Sequence, residues 1–458
     1  MNASSATAAP LSFAEANVDR FVRELTDLVR IPSIGSDARH AADVRRCAEW
    51  IASHLAGLGI ADVRLLPTAG HPLVFAATPP VPGRPVVMVY GHYDVQPPGP
   101  IAAWQTPPFR PALRGAWLFG RGASDDKGQL FAHIKAIESW LRSGGPPVGV
   151  KLLFEGEEEI GSPSLAAALR VYRSLLGAHV VMVSDSPMPA PGRPAITTAL
   201  RGSLGFEIEV RGAGEDLHSG IFGGAIPDPI EVLCSIIATL EDRSGRITVS
   251  RFYDAVHELS STERRALAAA GPSDQKLLTH AHAPAGWGER NFTLFEKTTI
   301  RPSLTVTGIL GGHTGPGDRT VLAASARARV NVRLVPNQRP DDVARLIARH
   351  VARVVPASVR ATLRFGRSTR PYQIAREHPM VHAAMRACRK GFDAPAALLP
   401  MGGSVAAVPA FQDVLGIPSV LVGFGLPDDG KHGPNERFHL PTFRRAVATS
   451  IHFLAEVA

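Results

Sequence analysis

The sequence predicts an α/β fold, with a mostly parallel sheet flanked by helices and an α+β domain inserted into it. Unbroken apolar runs such as Val86–Tyr90 are typical of strands buried on both faces of a parallel sheet. Helical patterns separate these runs, which is the order that parallel strands with crossover helices require. Between residues 200 and 374 the strands instead alternate apolar and polar residues, as expected for a sheet with one solvated face. We therefore expect a catalytic domain formed by residues 1–199 and 375–458, and an inserted domain at 200–374.

Length and composition are those of a folded globular protein. The 458 residues are enough for more than one domain, and 45% of them are hydrophobic and 20% charged. The formal charge of +8 comes mostly from dispersed arginines rather than from a dense basic run, so we expect no nucleic-acid partner. No apolar run is long enough to span a membrane, and residues 1–10 do not resemble a signal peptide. We therefore expect a cytoplasmic protein without membrane contact.

Two helices and two short strands are predicted before the strand at Val86. Ser12 and Glu15 form a capping box, and apolar residues follow at helical spacing up to Val29. A second helix has Cys47 on its apolar face. Cys234 falls on the apolar face of a later predicted helix, and no cysteine forms a CxxC pair, so we expect buried thiols. The short strands are expected at residues 63–66 and 73–76.

The later elements of the α/β domain repeat the order of strand, polar loop and helix. The strands and the loops that follow them are Val86–Tyr90 with Gly91–Asp94, Val148–Phe154 with Glu155–Ser162, and Val180–Val183 with Ser184–Asp185. The same style returns after Pro371, with a helix through Cys388, a short strand at Ser419–Val422, and His432 in a loop. Because ligands bind beyond the carboxyl ends of parallel strands, functional groups are expected along one edge of this sheet.

The inserted domain is predicted to contain one-sided strands and two helices. Apolar and polar residues alternate at 204–210, 328–334 and 359–365, and helical patterns cover Ile230–Leu240 and Asp341–Val351. The segment from about 251 to 300 is less regular and partly helical. These features indicate an α+β domain.

The loops at the strand ends supply residues suited to a two-metal site. These are His92, Asp94, Asp125, Glu158, Glu159, Asp185 and His432. Imidazole and carboxylate ligands without thiolates suit Zn, Mn or Co. Five ligands with one shared carboxylate would hold two divalent ions and a bridging water, and a further Glu beside them could accept the proton of that water. Taken singly, Glu157–Glu159 would be a solvated acidic loop, His432 a surface histidine, and Asp125–Asp126 a charge cluster at a helix N-terminus.

Four motifs give a more specific indication. Gly91–Asp94, Gly120–Gly128, Glu157–Gly161 and His432–Glu436 resemble, in this order, the dinuclear zinc peptidases and deacylases. That family includes carboxypeptidase G, acetylornithine deacetylase, succinyl-diaminopimelate desuccinylase and the cytosolic carnosine-type dipeptidases. The resemblance implies a set of roles. His92 and Asp185 bind one metal, Glu159 and His432 bind the other, Asp125 bridges them, Glu158 is the general base, and Asp94 holds the His92 imidazole. In the family, an Asp at the position of Asp185 goes with aminopeptidases and dipeptidases.

The inserted domain resembles that of the carnosine-type branch. Leu200–Gly202 and Glu215–Gly224 match its motifs, and the resemblance implies that His218 reaches the active site of a partner subunit and stabilises the oxyanion. It also implies a homodimer joined through this lid domain. Thr320, Arg333 and Ser404 would contact the substrate, with Arg333 pairing with its carboxylate. Considered alone, His218 would be a surface histidine, and Arg333 one more Arg on a solvated strand face.

These observations favour metal-dependent hydrolysis of the amide bond in dipeptides or similar small substrates with a free carboxylate. One alternative is an N-acyl or N-carbamoyl amino acid amidohydrolase that uses the same metals. Another is a catalytically silent scaffold protein, which would have lost a metal ligand or the base. The chain departs from the carnosine-type branch at Arg367–Tyr372, where that branch has His-Gly-Gly-Lys-Pro-Trp, so carnosine itself is not expected as the substrate. Leu322–Ala323 replaces an Ile-Pro pair.

Overall fold

A computed structural model describes residues 6–458, and these residues form two compact units. The first unit contains the described residues up to Thr198, together with Ile374–Leu399 and Val405–Ala458. The second unit contains Ala199–Gln373 and Pro400–Ser404, so it is inserted into the sequence of the first. The domain boundaries expected at residues 200 and 375 stay a prediction.

The described strands and helices are numbered in chain order. The strands are β1 (Asp62–Leu66), β2 (Leu73–Ala77), β3 (Val86–His92), β4 (Ala112–Arg114), β5 (Trp117–Phe119), β6 (Gly149–Glu155), β7 (Val180–Val183), β8 (Ala195–Leu200), β9 (Gly202–Arg211), β10 (Leu217–His218), β11 (Ser303–Gly311), β12 (Val321–Leu322), β13 (Ser325–Leu334), β14 (Arg360–Thr369), β15 (Tyr372–Gln373), β16 (Ala397–Met401), β17 (Ser419–Gly423) and β18 (Arg437–His439). The helices are α1 (Ala8–Ala16), α2 (Val18–Val29), α3 (Ala41–Gly57), α4 (Lys127–Leu141), α5 (Leu165–Val171), α6 (Ser219–Phe222), α7 (Pro229–Ala238), α8 (Ser261–Ala270), α9 (Asp274–Ala281), α10 (Leu294–Thr299), α11 (Pro340–Val354), α12 (Pro379–Phe392), α13 (Ala407–Ala410) and α14 (Leu440–Val457).

The main sheet of the first unit has the strand order β1-β2-β6-β3-β7-β17-β8, and β16 also pairs with β8. The central strands β6, β3, β7 and β17 are parallel, whereas β2 and β8 pair antiparallel with their neighbours. The central strands are buried almost throughout because helices cover the sheet, which explains their unbroken apolar sequences. The predicted α/β class with a mostly parallel sheet is confirmed.

Helix α4 is buried along nearly its whole length, although it contains several charged residues. Its Lys127 ammonium donates to the backbone carbonyls of Leu28 and Ile31, at 3.2 and 2.6 Å. Its Lys135 forms an ion pair with Glu138 at 2.8 Å. These partners offset the cost of removing the charges from water. The helix therefore keeps a fixed position behind the loop that contains Asp125.

The second unit has an antiparallel sheet of order β11-β13-β9-β14 and a two-stranded sheet of β10 and β12. One face of the larger sheet packs on α7 and α11, with Ile208, Val330 and Ile347 in the buried core. The opposite face presents polar side chains at every second position, as the alternating sequence predicted. Residues 251–300 form the short helices α8, α9 and α10.

Two details of the sequence interpretation are wrong. Ser12 does not cap a helix, because it lies inside α1, and α2 begins after Asn17. Cys47 is buried as expected, but Cys234 is exposed, because it faces away from the core side of α7. Within residues 6–458, no helix combines the length and the apolar content that a membrane span requires.

Candidate metal centre

The first unit brings His92, Asp125 and Asp185 together. Ligand atoms from the three side chains lie within 4.8 Å of one another. His92 is the last residue of β3, Asp185 follows the neighbouring strand β7, and Asp125 lies in the turn before α4. His92 Nε2 is 3.2 Å from Asp125 Oδ1 and 4.0 Å from Asp185 Oδ2. The proximity of His92 and Asp185 thus follows from the carboxyl ends of adjacent parallel strands meeting at one sheet edge, and the turn before α4 brings Asp125 to them.

A second group uses the other oxygen of Asp125. His432 Nε2 is 3.0 Å from Asp125 Oδ2 and 3.3 Å from Glu159 Oε2, and these three residues also have ligand atoms within 4.8 Å. Asp125 therefore belongs to both groups, with Oδ1 towards His92 and Oδ2 towards His432. The Glu159 Oε1 atom is buried and has no hydrogen-bond partner among the described residues. Imidazole nitrogens, clustered carboxylates and an unpartnered buried oxygen fit a pair of divalent ions.

The pKa values reflect the same crowding of acids and bases. Hydrogen bonds to Asp125 and Glu159 raise the pKa of His432 to about 10. Burial opposes the charged form of His92, but its hydrogen bonds to Asp125 and Asp94 outweigh burial and raise its pKa. Burial alone would raise the pKa of Asp125, whereas Lys431 and the two histidines hold it well below its usual value. The centre is therefore an environment that favours positive charge.

Asp94 contacts more than the residue assigned to it from the sequence. His92 Nδ1 lies 3.0 Å from the backbone carbonyl of Asp94 and 3.4 Å from its carboxylate, so the carbonyl is the nearer acceptor. This bond leaves His92 Nε2 free to face the other ligands. The two carboxylate oxygens of Asp94 accept the backbone N–H groups of Glu158 and Glu159, at 3.2 and 3.0 Å. Asp94 therefore fixes the acidic loop as well as the imidazole.

Glu158 lies on this loop, in a short 3₁₀ helix formed by Glu158–Ile160. Burial raises its pKa well above the ordinary range, and the nearby carboxylates of Asp185 and Glu159 add to the effect. Gln96 donates to Glu159 Oε2 at 2.8 Å and helps to hold that side chain. A carboxyl group in this position beside a cation site is suited to the role of an acid–base group.

Glu436 fixes the loop of Asp125 from a distant part of the sequence. One carboxylate oxygen accepts the backbone N–H groups of Ser124 and Asp125 at 2.9 and 3.0 Å. The other accepts the N–H of Gly122 at 2.8 Å and the guanidinium of Arg121 at 2.7 Å. Glu436 is the last residue of the motif His432–Glu436, but the sequence did not indicate a role for it.

Lys431 was also missed, because only its proximity to His432 in the sequence could have pointed to it. Its ammonium lies 3.1 Å from Asp185 Oδ1 and 3.9 Å from Asp125 Oδ1. A third cluster, Glu24, His54 and Glu138, also has ligand atoms within 4.8 Å. The Lys135 ammonium contacts all three of its side chains, so a cation of the protein already occupies that cluster.

In the second unit, His218 and Thr320 are neighbours. His218 pairs with Val321 between β10 and β12, and the Thr320 carbonyl accepts the N–H of Ser219 at 2.9 Å. His218 Nδ1 accepts the N–H of Gly220 at 3.1 Å. In the neutral ring this leaves the proton on Nε2, so exposed His218 offers an N–H donor.

Arg333 and Ser404 also lie together in the second unit. Ser404 Oγ accepts a hydrogen bond from Arg333 at 3.0 Å and donates one to the carbonyl of Arg201 at 2.6 Å. The Arg201 guanidinium is buried and donates to the carbonyls of Gly402, Lys297 and Arg301. Among the described residues, neither Arg201 nor Arg333 has a carboxylate partner. Both line a pocket of about 660 Å³, which is therefore suited to an anionic group.

Comparisons with known proteins found a matching family and similar sequences and structures. Residues 88–456 match the family described as Peptidase family M20/M25/M40. The Cys-Gly metallodipeptidase dug1 of Schizosaccharomyces pombe is 30% identical over 460 residues, covering 96% of each chain. Human carnosine dipeptidase 1 has a crystal structure that matches with a TM-score of 0.83 and 27% identity, covering 98% of both chains. The M20 family metallo-carboxypeptidase Sso-CP2 of Sulfolobus solfataricus matches with a TM-score of 0.84 and 29% identity, covering 95% of this chain and 99% of the other.

Proposed function

The chain belongs to peptidase family M20/M25/M40, and we propose that it is a metal-dependent dipeptidase whose centre is built around Asp125. The observation that supports this most directly is the sharing of Asp125 between two ligand groups, with Glu158 on the adjoining loop. Relatives that match along most of the chain are named Cys-Gly metallodipeptidase and Beta-Ala-His dipeptidase. Hydrolysis of N-acyl or N-carbamoyl amino acids is not favoured by these names.

The ligands of each ion follow from the two groups. His92 and Asp185 hold one ion, Glu159 and His432 hold the other, and Asp125 bridges them. Zn is the ion that we propose, and Mn and Co suit the same ligands. Two ions at these positions supply polarisation of the amide carbonyl and a water of lowered pKa.

Glu158 is the general base in this proposal. Its carboxylate accepts a proton from the attacking water and then delivers that proton to the leaving nitrogen. The hydrogen bonds that Asp94 accepts from the backbone of Glu158 and Glu159 keep the base and a metal ligand in one fixed loop. Asp94 is therefore a positioning residue for both.

The second unit supplies recognition of the substrate. Arg333, oriented by Ser404, binds the free carboxylate of the peptide, and the absence of a carboxylate partner among the described residues leaves its guanidinium available. Thr320 contributes a further substrate contact beside His218. This requirement for a carboxylate limits the substrates to small molecules with a free carboxylate, such as dipeptides.

We also propose a homodimer formed through the second unit, in which His218 serves the partner's active site. The Nε2 donor of His218 is suited to the oxygen that gains negative charge during attack. Large exposed apolar residues in this unit give it surface for a self-complementary contact. They are Ile221, Phe222, Ile309 and Leu310. A cytoplasmic location stays a prediction.

A hydrolysis screen tests the proposed function. Protein stripped of metal and reloaded with Zn, Mn or Co is incubated with dipeptides, N-acyl amino acids and N-carbamoyl amino acids. We expect turnover of dipeptides, near two ions per chain by metal analysis, and loss of turnover in Glu158→Gln. Preferential turnover of N-acyl or N-carbamoyl substrates, or retention of one ion or none, contradicts the proposal.

A further inference from the structure

Lys431 and a divalent ion at one of the two positions would contact the same two carboxylate groups. The Lys431 ammonium is 3.1 Å from Asp185 Oδ1 and 3.9 Å from Asp125 Oδ1. Asp185 and Asp125 are two of the three ligands in the group completed by His92. A metal bound by these carboxylates lies about 2 Å from their oxygens, so the ammonium and the ion would be only a few ångströms apart. Their mutual repulsion acts against simultaneous occupation.

The two metal positions differ in this respect. The Lys431 contact to Asp125 is made to Oδ1, the oxygen that faces His92. His432 contacts the other oxygen, Oδ2, and Glu159. Among the described residues, Lys431 forms no ion pair with Glu159. The lysine therefore opposes a cation at one position much more than at the other.

We propose that Lys431 is an internal competitor for the position formed by His92, Asp125 and Asp185, and that this position consequently binds its ion more weakly than the position formed by Asp125, Glu159 and His432. The inference rests on the proposed two-metal centre. The Lys431 side chain is about one quarter exposed (26%), so its ammonium can leave towards solvent when the ion enters. The enzyme would then exist with one ion at low metal concentration and with two only at higher concentration.

The test measures each position separately. Asp185→Ala removes one position and Glu159→Ala removes the other, and both proteins are titrated with Zn²⁺ by calorimetry after metal removal. In the Glu159→Ala background, Lys431→Met should tighten binding by about tenfold or more, because a cation that contacts both carboxylates is lost. In the Asp185→Ala background the same change should have an effect of less than about threefold. Lys431→Arg keeps the charge and should leave the weaker position weak.

Lys390→Met is the matched control, since Lys390 pairs with Glu456 at 2.5 Å, and neither residue belongs to the metal groups. It should leave both affinities unchanged. Lys431→Met should also lower the melting temperature of the metal-free protein, because it leaves two carboxylates without their cation.

The outcomes separate this inference from the proposed function. If wild-type protein binds two ions, but Lys431→Met does not tighten binding in the Glu159→Ala background, the role of Lys431 is refuted and the two-metal centre stands. If the two positions have equal affinity in wild-type protein, the role is also refuted. If neither wild type nor Lys431→Met binds more than one ion, both the two-metal centre and the competition by Lys431 are refuted.

Discussion

Replacing Asp94 by Asn distinguishes two roles of its carboxylate, which are orienting the His92 imidazole and fixing the loop of Glu158 and Glu159. The sequence assigned the Asp94 side chain to the His92 imidazole. In the structure the nearer acceptor for His92 Nδ1 is the Asp94 backbone carbonyl, at 3.0 Å, and the substitution leaves this group in place. The carboxylate instead accepts two backbone N–H groups, from Glu158 and Glu159. Asn can accept only one of them, and its amide N–H₂ faces the other.

The expected cost follows from the lost hydrogen bond. A hydrogen bond to a charged group contributes roughly 1.5–3 kcal/mol, which corresponds to a factor of roughly 10 to 150 in an equilibrium constant. Since the affected loop contains Glu159, the loss should fall on the metal position that Glu159 and His432 complete. Asp94→Asn should therefore weaken Zn²⁺ binding by this factor in the Asp185→Ala background and change it little in the Glu159→Ala background.

The assay is calorimetric titration of metal-free protein, with competition against a chelator for tight sites. Asp228→Asn is the control, because Asp228 also accepts a backbone N–H, from Ile230 at 2.8 Å, in the second unit. It should leave both affinities unchanged. If Asp94→Asn weakens only the position of His92, the carboxylate orients the imidazole, and the reasoning from the loop is wrong.

Three further predictions concern catalysis, assembly and pH. Glu158→Gln should lower kcat by roughly 10²–10⁴-fold while two ions remain bound, since the amide cannot accept a proton; near-normal kcat would assign the base elsewhere. His218→Ala and Glu158→Gln, each nearly inactive alone, should regain part of the activity when mixed and allowed to exchange subunits, and a mixture that stays inactive after demonstrated exchange would exclude a role of His218 in the partner's site. Burial lowers the pKa of His133 to about 3, between Ser184 and Ser450. The unfolded chain therefore binds a proton below about pH 6.5 that the folded protein does not, so stability should fall between pH 6.5 and 3, by about 2 kcal/mol at pH 5 from this residue. His133→Gln should flatten the decline in melting temperature over that window, and an unchanged slope would contradict the assignment.

The fold was accessible from local patterns. Val86–Tyr90 and Val180–Val183 are unbroken apolar runs because each strand is buried on both faces, and burial of this kind leaves a signal in a single segment. The helix start at Ser12 was predicted wrongly. The sequence pattern of a capping box marks a helix start only where the preceding residues are not helical, and α1 already includes Ser12. Cys234 was misplaced because an apolar helix such as α7 does not reveal which of its faces is covered.

The residues at the strand ends were accessible for a related reason. His92, Glu159, Asp185 and His432 come from the ends of the parallel strands β3, β6, β7 and β17 or from the loops that follow them, so their proximity follows from topology, whereas Asp125 comes from the turn before α4. The sequence also placed four of these residues, all except Asp185, in motifs that resemble one enzyme family, and the family assignment is confirmed. The individual role of each residue stays a prediction.

Sequence alone therefore determined the fold class, the enzyme family and the set of acidic and imidazole groups at the centre. Only the tertiary structure decided which atoms of these groups meet. It assigned one oxygen of Asp125 to each group, aimed the carboxylate of Asp94 at two backbone N–H groups, and placed the Lys431 ammonium on Asp185. It also brought Glu436 to the loop of Asp125 across more than 300 residues of chain. The physical reason is that periodicity and motifs report the burial of a segment and its chemical groups, whereas a hydrogen bond or an ion pair depends on distances of a few ångströms between segments, which packing of the whole unit sets.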